Sequence, residues 1–453
     1  MHVKRWAELR WRVPPLNLRE RLASLVAVNV RRAVAASVAV SVAVLSLTAC
    51  ATQEDAAESD GTWVGTITTE GDVTSVVNES GSVWGGTARL VEDLSIGVAQ
   101  GDEPYLFGQL RALWATNEQI YVLDAQVPAV RVYDRDGDFI RNIGRSGQGP
   151  GEDDMPSAVA VLPDGRVVVR SYVPGQRTNV YSPDGAYIDT WYGDPAFGTD
   201  APPTVTYEGV FLTQARGVTA AEREERTEGM ARAGPDGLQE PLHRFPSIDR
   251  PAPAPRMRVG QAGFRAPFWP GTARVMTPSA AMVIGRTDQY RIVVGRADGT
   301  TMIIRRLIDA IPVSVEEQEW ERRRLVASAR RFDPSFNWDG ADIPAARPVF
   351  SGIVADRSRR IWVWRPSRVT RVPDCTADPL VEDFEAIVSC FEVVFVADVF
   401  DEGTGELLGE VQFPVGVDLW PSFIRDAELY AVVEDDAGTI MVKRYRLVLP
   451  GEE

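Results

Sequence analysis

A repeat with a period of 48 residues restricts the fold more than any other feature of the chain. Residues 119–152 read QIYVLDAQVPAVRVYDRDGDFIRNIGRSGQGPGE. Three short apolar runs, 120–123, 130–133 and 139–143, are separated by turn chemistry, and 112–115 adds a fourth upstream. Runs this short, rich in β-branched and aromatic residues, suit strands. Asp136-Gly137 marks a tight hairpin, because glycine takes the positive φ of such turns at no steric cost. The pattern then recurs. RVVVRS (166–171) aligns with QIYVLD, TNVYSPDG (178–185) with VRVYDRDG, and YIDTWYG (187–193) with FIRNIG. Tyr133 to Tyr181 and Gly137 to Gly185 are each 48 residues apart. Four short strands per unit at this spacing predict β-propeller blades.

The motif strand–turn–VxVYDxDG–strand–IGRxGxGPGE is similar to NHL-type repeats. The whole chain resembles the bacterial six-bladed β-propeller lipoproteins of unknown function. The likeness is clear over residues 105–193 and degenerate afterwards. It implies an all-β, six-bladed propeller with a cell-envelope address, and it implies no reaction.

The propeller is expected over 87–450. Blade one covers about 105–143 and blade two 157–193. Blade three is read from 209–214, 230–237 and 238–245, with 209–214 innermost. Blade four spans 274–308 and blade five 350–414. Blade six, 422–449, has three strands, while strand 87–97 has no blade of its own. An open sheet edge is costly, so this N-terminal strand is expected to complete the last blade. Residues 62–86 predict a β-hairpin leaning on the domain, then a lead-in. Residues 312–332 break the β pattern: Ser314 with Glu317 fits a capping box and predicts one helix between blades four and five. Its apolar stripe would be Val315, Trp320, Leu325 and Val326.

Ahead of these, 1–49 reads as a lipoprotein signal peptide. Arg31-Arg32 precedes an uncharged apolar run of 15 residues, 33–47, too short to span a membrane comfortably and right for a signal core. It ends in Leu-Thr-Ala-Cys, which resembles the bacterial lipobox and implies lipidation of Cys50. Residues 50–61 form an acidic flexible tether. The expected location is the cell envelope, lipid-anchored on a periplasmic or outer-membrane face, with the protein monomeric.

Composition narrows the chemistry. Residues 1–49 carry eight Lys or Arg and two acids, which leaves 40 basic against 62 acidic residues and a net charge of −22. That argues against a nucleic-acid surface. Of two histidines, only His243 lies beyond the signal region, in a stretch that reads as an outer strand. Three-histidine zinc sites and copper sites cannot be built within one such chain. No cofactor is expected. Cys375 and Cys390 remain once Cys50 is lipidated, and in an oxidising compartment they are expected to bridge.

In a propeller, the loops from second to third strand and from one blade to the next share one face. The long connections 194–208, 215–229, 247–271, 309–349 and 366–389 all fall in those slots, so one face is elaborated and the other compact. Long loops on a rigid scaffold are where binding resides. Residues 250–271 carry four arginines, no acid, and Phe264, Phe268 and Trp269. The candidate ligand-binding residues are Arg256, Arg258, Arg265, Phe268 and Trp269, with Arg145, Arg170 and Arg365 expected at strand ends on the same side. The competing role for these arginines is to pin loops to nearby acids such as Asp153 and Asp154. GRSGQGPGE (144–152) lacks the GxxxxGK[ST] pattern and reads as an interblade turn. The reading is a binding module for a protein, peptide or glycan. The alternative is a calcium-dependent lactonase-like hydrolase, for which the innermost strands offer only Asp356 and Asp426.

Overall fold

The computed structural model describes residues 61–173, 177–193, 203–225, 227–259, 262–338, 340, 342–373, 375, 389–414, 416–435 and 437–452. The signal region, Cys50 and all of the tether but Gly61 lie outside them. Each blade is a four-stranded antiparallel sheet, named here from the ring's centre outward. Blade one is Leu110–Ala115, Gln119–Asp124, Ala129–Asp134 and Phe139–Ile143, and blade two is Asp154–Val161, Val167–Val173, Arg177–Tyr181 and Tyr187–Tyr192. Blade three is Thr204–Val205, Phe211–Arg216, Glu228–Gly234 and Gly237–Arg244. Blade four is Thr272–Met276, Met282–Arg286, Arg291–Gly295 and Thr301–Arg306. Blade five is Gly352–Ala355, Arg360–Arg371, Phe391–Asp401 and Leu407–Gln412. Blade six is Val417–Arg425, Glu428–Glu434, Ile440–Val448 and Thr87–Ile96. Blade three differs from the sequence reading: 209–214 belongs to its second strand. The innermost is the two-residue Thr204–Val205, too short to show any periodicity.

The protein is a closed six-bladed β-propeller, and its core shows why. Buried apolar side chains form one cluster at each interface between neighbouring blades. Val130 and Ile143 meet Val159 and Val169 between blades one and two, and Trp191 meets Phe211 between two and three. Leu212 and Met230 meet Met276 and Met282 between three and four. Ile292 and Ile304 meet Phe350 and Phe400 between four and five, and Trp362 and Trp364 meet Ile424 and Leu429 between five and six. Ile120 and Tyr133 meet Tyr430 and Val442 between six and one, which completes the circle. A blade alone would leave both faces of its sheet wet; each face is buried only by a neighbour.

Strand Thr87–Ile96 closes the ring as expected. It pairs antiparallel with Ile440–Val448 as the outermost strand of blade six, from Arg89 opposite Val448 to Ile96 opposite Val442. Its first residues also pair in parallel with blade five, Thr87 opposite Glu410, so blades five and six share one continuous sheet.

The expected N-terminal hairpin is present as Val64–Glu70 and Val73–Ser80. It extends blade four, the second hairpin strand lying parallel to Thr301–Arg306. Asn78, 2% exposed, fixes it. Its amide donates to the Arg305 and Gly405 carbonyls (3.2 and 3.1 Å) and accepts from Leu407 N–H and Trp63 Nε1 (both 2.7 Å). The N-terminal segment therefore crosses blades four, five and six in turn. Ser82 N–H donates to Gly61 O (3.1 Å) and Val83 N–H to Leu407 O (3.0 Å). Gly61 thus sits at the outer rim, beside the start of blade five's last strand.

The 48-residue repeat has a local cause. Tyr133 and Tyr181 occupy equivalent positions on third strands, each at a shift in register with the fourth strand. The Tyr133 hydroxyl donates to Pro104 O and that of Tyr181 lies 3.2 Å from Gly151 O, each a carbonyl in the connection entering the same blade. Gly137 and Gly185, at φ of 92° and 94°, supply the positive φ of the turns that follow.

Asn78→Ala leaves three backbone groups and an indole N–H without that partner. It should lower unfolding free energy by about 2 kcal/mol, within the range for orphaned buried polar groups. Chemical denaturation of both proteins measures this.

Candidate functional site: the loop-rich face

The face expected to be elaborated is so. First-to-second and third-to-fourth strand connections are short turns on one face. The opposite face carries helix α1 (Ala220–Glu224), the hairpin of Arg256–Val259 with Ala262–Arg265, helix α2 (Val315–Arg330) and the disulfide.

Three of these connections form one cap. Ser314 caps α2, its hydroxyl accepting from Glu317 N–H (3.1 Å). Glu317 does not complete the capping box: its buried carboxylate pairs with Arg347, whose guanidinium lies 4.3 Å from the Phe268 ring centroid. Desolvation raises the Glu317 carboxyl above its ordinary value against the pull of Arg347, and lowers Arg347 likewise. Trp320, Leu325 and Val326 are buried as expected, but Val315 is 81% exposed. Val315 is the first helical residue and lies ahead of the packed turns. Trp320 packs on Cys390, and the Cys375–Cys390 disulfide is formed, as expected. Arg371 joins the loop to the helix, bonding Glu316 (2.8 Å) and the Cys375 carbonyl (3.0 Å).

The candidate arginines are not gathered in one place. Arg145 is exposed and paired with Glu152 at 3.0 Å. Arg265 is exposed, and the hairpin sets Arg256 opposite Arg265 and Arg258 opposite Gly263. Phe268 and Trp269 are half-buried, the indole donating to Ala252 O (2.9 Å). Arg170 and Arg365 are corrections, because neither stands at the face. Arg170 is buried at 2% exposure within blade two. Arg365 ties blade five to blade four: it and Arg306 both contact Asp398 and Glu410, and the Tyr290 hydroxyl donates to Asp398 (2.6 Å). An arginine near a strand end looks alike in sequence whether it turns outward or into the next blade.

Connection 144–152 is an interblade turn, as expected, and is held from beneath. Asp153, 1% exposed, accepts from Tyr181 (2.8 Å), Asn179 (2.9 Å) and Ser171 (3.2 Å). Arg177 donates to the Gln148 carbonyl at 2.6 Å. Burial raises the Asp153 carboxyl despite these bonds. His243 is half-buried on an outer strand, and burial lowers its pKa. The two acids considered for a calcium cage lie in short turns. Asp356 accepts from Arg360 Nε (2.5 Å) and Trp362 Nε1 (2.8 Å), and Asp426 bonds Arg425 (3.2 Å). Among the described residues, no group of three or more His, Cys, Asp or Glu is placed to hold a metal ion.

One feature escaped the sequence reading. A cleft of about 360 Å³ opens on the compact face, lined by short turns of blades three, four and five. No motif marks it, because its residues come from five turns far apart in the chain.

A family model described as a 6-bladed beta-propeller (DUF5128) matches residues 100–153. No protein with a curated description matches the chain. Among solved structures, a DUF4221-family member from Bacteroides vulgatus is 13% identical, with a TM-score of 0.46, covering 80% of this chain and 99% of its own. A protein of unknown function from Bacteroides thetaiotaomicron is 10% identical, with a TM-score of 0.35, covering 78% and 73%. The virginiamycin B lyase of Staphylococcus aureus is 8% identical, with a TM-score of 0.36, covering 78% and 98%.

Two outcomes test this geometry. Replacing Cys375 and Cys390 by Ser should lower stability by up to about 3 kcal/mol, the value for a loop of this length, read by thermal unfolding. Asp153 holds its proton in the folded chain to higher pH than in the unfolded one. It contributes stability at low pH that is lost as pH rises from the ordinary aspartate value through its raised folded value. Asp153→Asn should flatten that stretch of the stability–pH curve.

Proposed function

We propose that the protein is a lipid-anchored binding module that presents its loop-rich face to a protein, peptide or glycan. One observation carries this reading: the uneven distribution of exposed large apolar side chains. Among the described residues, none lies in the short turns of the compact face, and Val73 and Tyr187 stand at strand ends that open onto it. Val98, Leu106, Val127, Met155, Val315 and Trp420 lie in the connections of the loop-rich face or at strand ends that open onto it. Exposed apolar groups beside exposed arginines suit a partner with both apolar and anionic groups.

Gly61 lies at the rim near the start of blade five's last strand, so an anchor at Cys50 would hold the domain there through a flexible segment. Acylation of one cysteine by two or three chains makes such an anchor stable.

Cys50→Ser should move the protein from the membrane to the soluble fraction of the cell envelope; an unchanged distribution contradicts the anchor. For the face, peptides and glycans displayed on arrays are probed with the wild type, Arg256→Ala/Arg258→Ala and Trp420→Ser. Binding should fall at least tenfold in the variants with the melting temperature kept. Equal binding, or no binding by the wild type, overturns the reading.

A further inference from the structure

Glu208, Asp298, Glu402, Arg296 and Arg359 line the cleft on the compact face, and among the described residues none of them forms an ion pair; Glu402 and Arg359 are the two of opposite sign joined through the backbone. Glu402 follows the third strand of blade five and is 5% exposed. Its Oε1 accepts from the hydroxyls of Thr277 (3.0 Å) and Ser279, both in a turn of blade four. Among the described residues, its Oε2 accepts no hydrogen bond and no cation pairs with the carboxylate. Burying an ionised carboxylate without a counter-charge costs several kcal/mol, so such a group is retained where something supplies the missing donor.

Arg359 stands on the same cleft with the opposite sign. It is exposed and has φ of 58°, a left-handed backbone that an arginine rarely adopts. Its carbonyl accepts from Glu402 N–H (2.9 Å), which sets the two residues side by side. Among the described residues the guanidinium makes no ion pair; it lies 5.4 Å from the Tyr207 ring centroid, which has Arg357 at the same distance. Arg296, the other cation on the wall, is held differently: it donates to the carbonyls of Glu402 (3.1 Å) and Gly403 (2.8 Å), which stiffens the turn bearing Glu402. The wall thus offers a fixed acceptor and a free planar donor in neighbouring positions.

From this juxtaposition we propose that the cleft is a binding site for a small zwitterion of the α-amino-acid class. The ligand's ammonium donates to Glu402 and its carboxylate lies on the Arg359 guanidinium, the usual bidentate partner of carboxylates. A volume of about 360 Å³ admits a molecule of that size. Three blades line the cleft, so an occupant cross-links them and raises the melting temperature by mass action. The site is separate from the loop-rich face and does not depend on what binds there.

The test offers the twenty free L-α-amino acids, one at a time, to the whole protein by thermal shift and calorimetry. At least one should bind saturably. Its N-acetyl and its carboxamide derivatives, each lacking one charge, should bind at least tenfold more weakly. Glu402→Gln, which keeps an acceptor for Thr277 and Ser279, and Arg359→Gln should each weaken it at least tenfold while melting near the wild type without ligand. Failure of all twenty to bind, or equal binding by the N-acetyl form or by either folded variant, overturns the proposal.

Discussion

Closure of the ring is the constraint from which the rest follows. A propeller blade has two apolar faces and no means of covering either by itself. Six interblade clusters satisfy six blades only if the last meets the first. The C-terminal strands supply three quarters of blade six, and Thr87–Ile96 supplies the remainder. The same strand also borders blade five, and the hairpin before it borders blade four. The N-terminal segment therefore fixes half the ring from outside, and Asn78 is its most buried polar fastening.

Polar groups repeat the work of the apolar clusters at several junctions. Arg365 and Arg306 share Asp398 and Glu410 between blades five and four. Arg135 pairs with Glu428 between blades one and six, and Arg444 donates to the Arg135 carbonyl (2.9 Å). Removing Arg365 or Arg306 would strand the buried Asp398, so replacing one member of that set alone is costly. These junctions leave the two faces free to differ: one capped by α2 and the disulfide loop, the other reduced to short turns around an ionic cleft.

How much of this could be read from the residues follows from how local each cause is. The strand–turn periodicity around Tyr133 and Tyr181, the Ser314 cap and the unpaired strand 87–97 are each visible within a few residues, and the fold was legible from them. The slots of the long connections followed from strand count alone. The innermost strand of blade three was missed because two residues carry no pattern. Arg170 and Arg365 were misplaced because the direction of a side chain at an interblade seam depends on the neighbouring blade. The cleft depends on Glu402, Thr277 and Arg359, which lie up to 125 residues apart in hydrogen-bonded contact. Nothing in any one turn announces the others.

Hydrogen exchange over residues 87–96 and 440–448 tests closure most directly. If Thr87–Ile96 completes blade six, its ladder amides should be as protected as those of Ile440–Val448, and both should open together at the free energy of global unfolding. Fast exchange of 87–96 while 440–448 stays protected would contradict it, because the ring would then hold without its N-terminal strand.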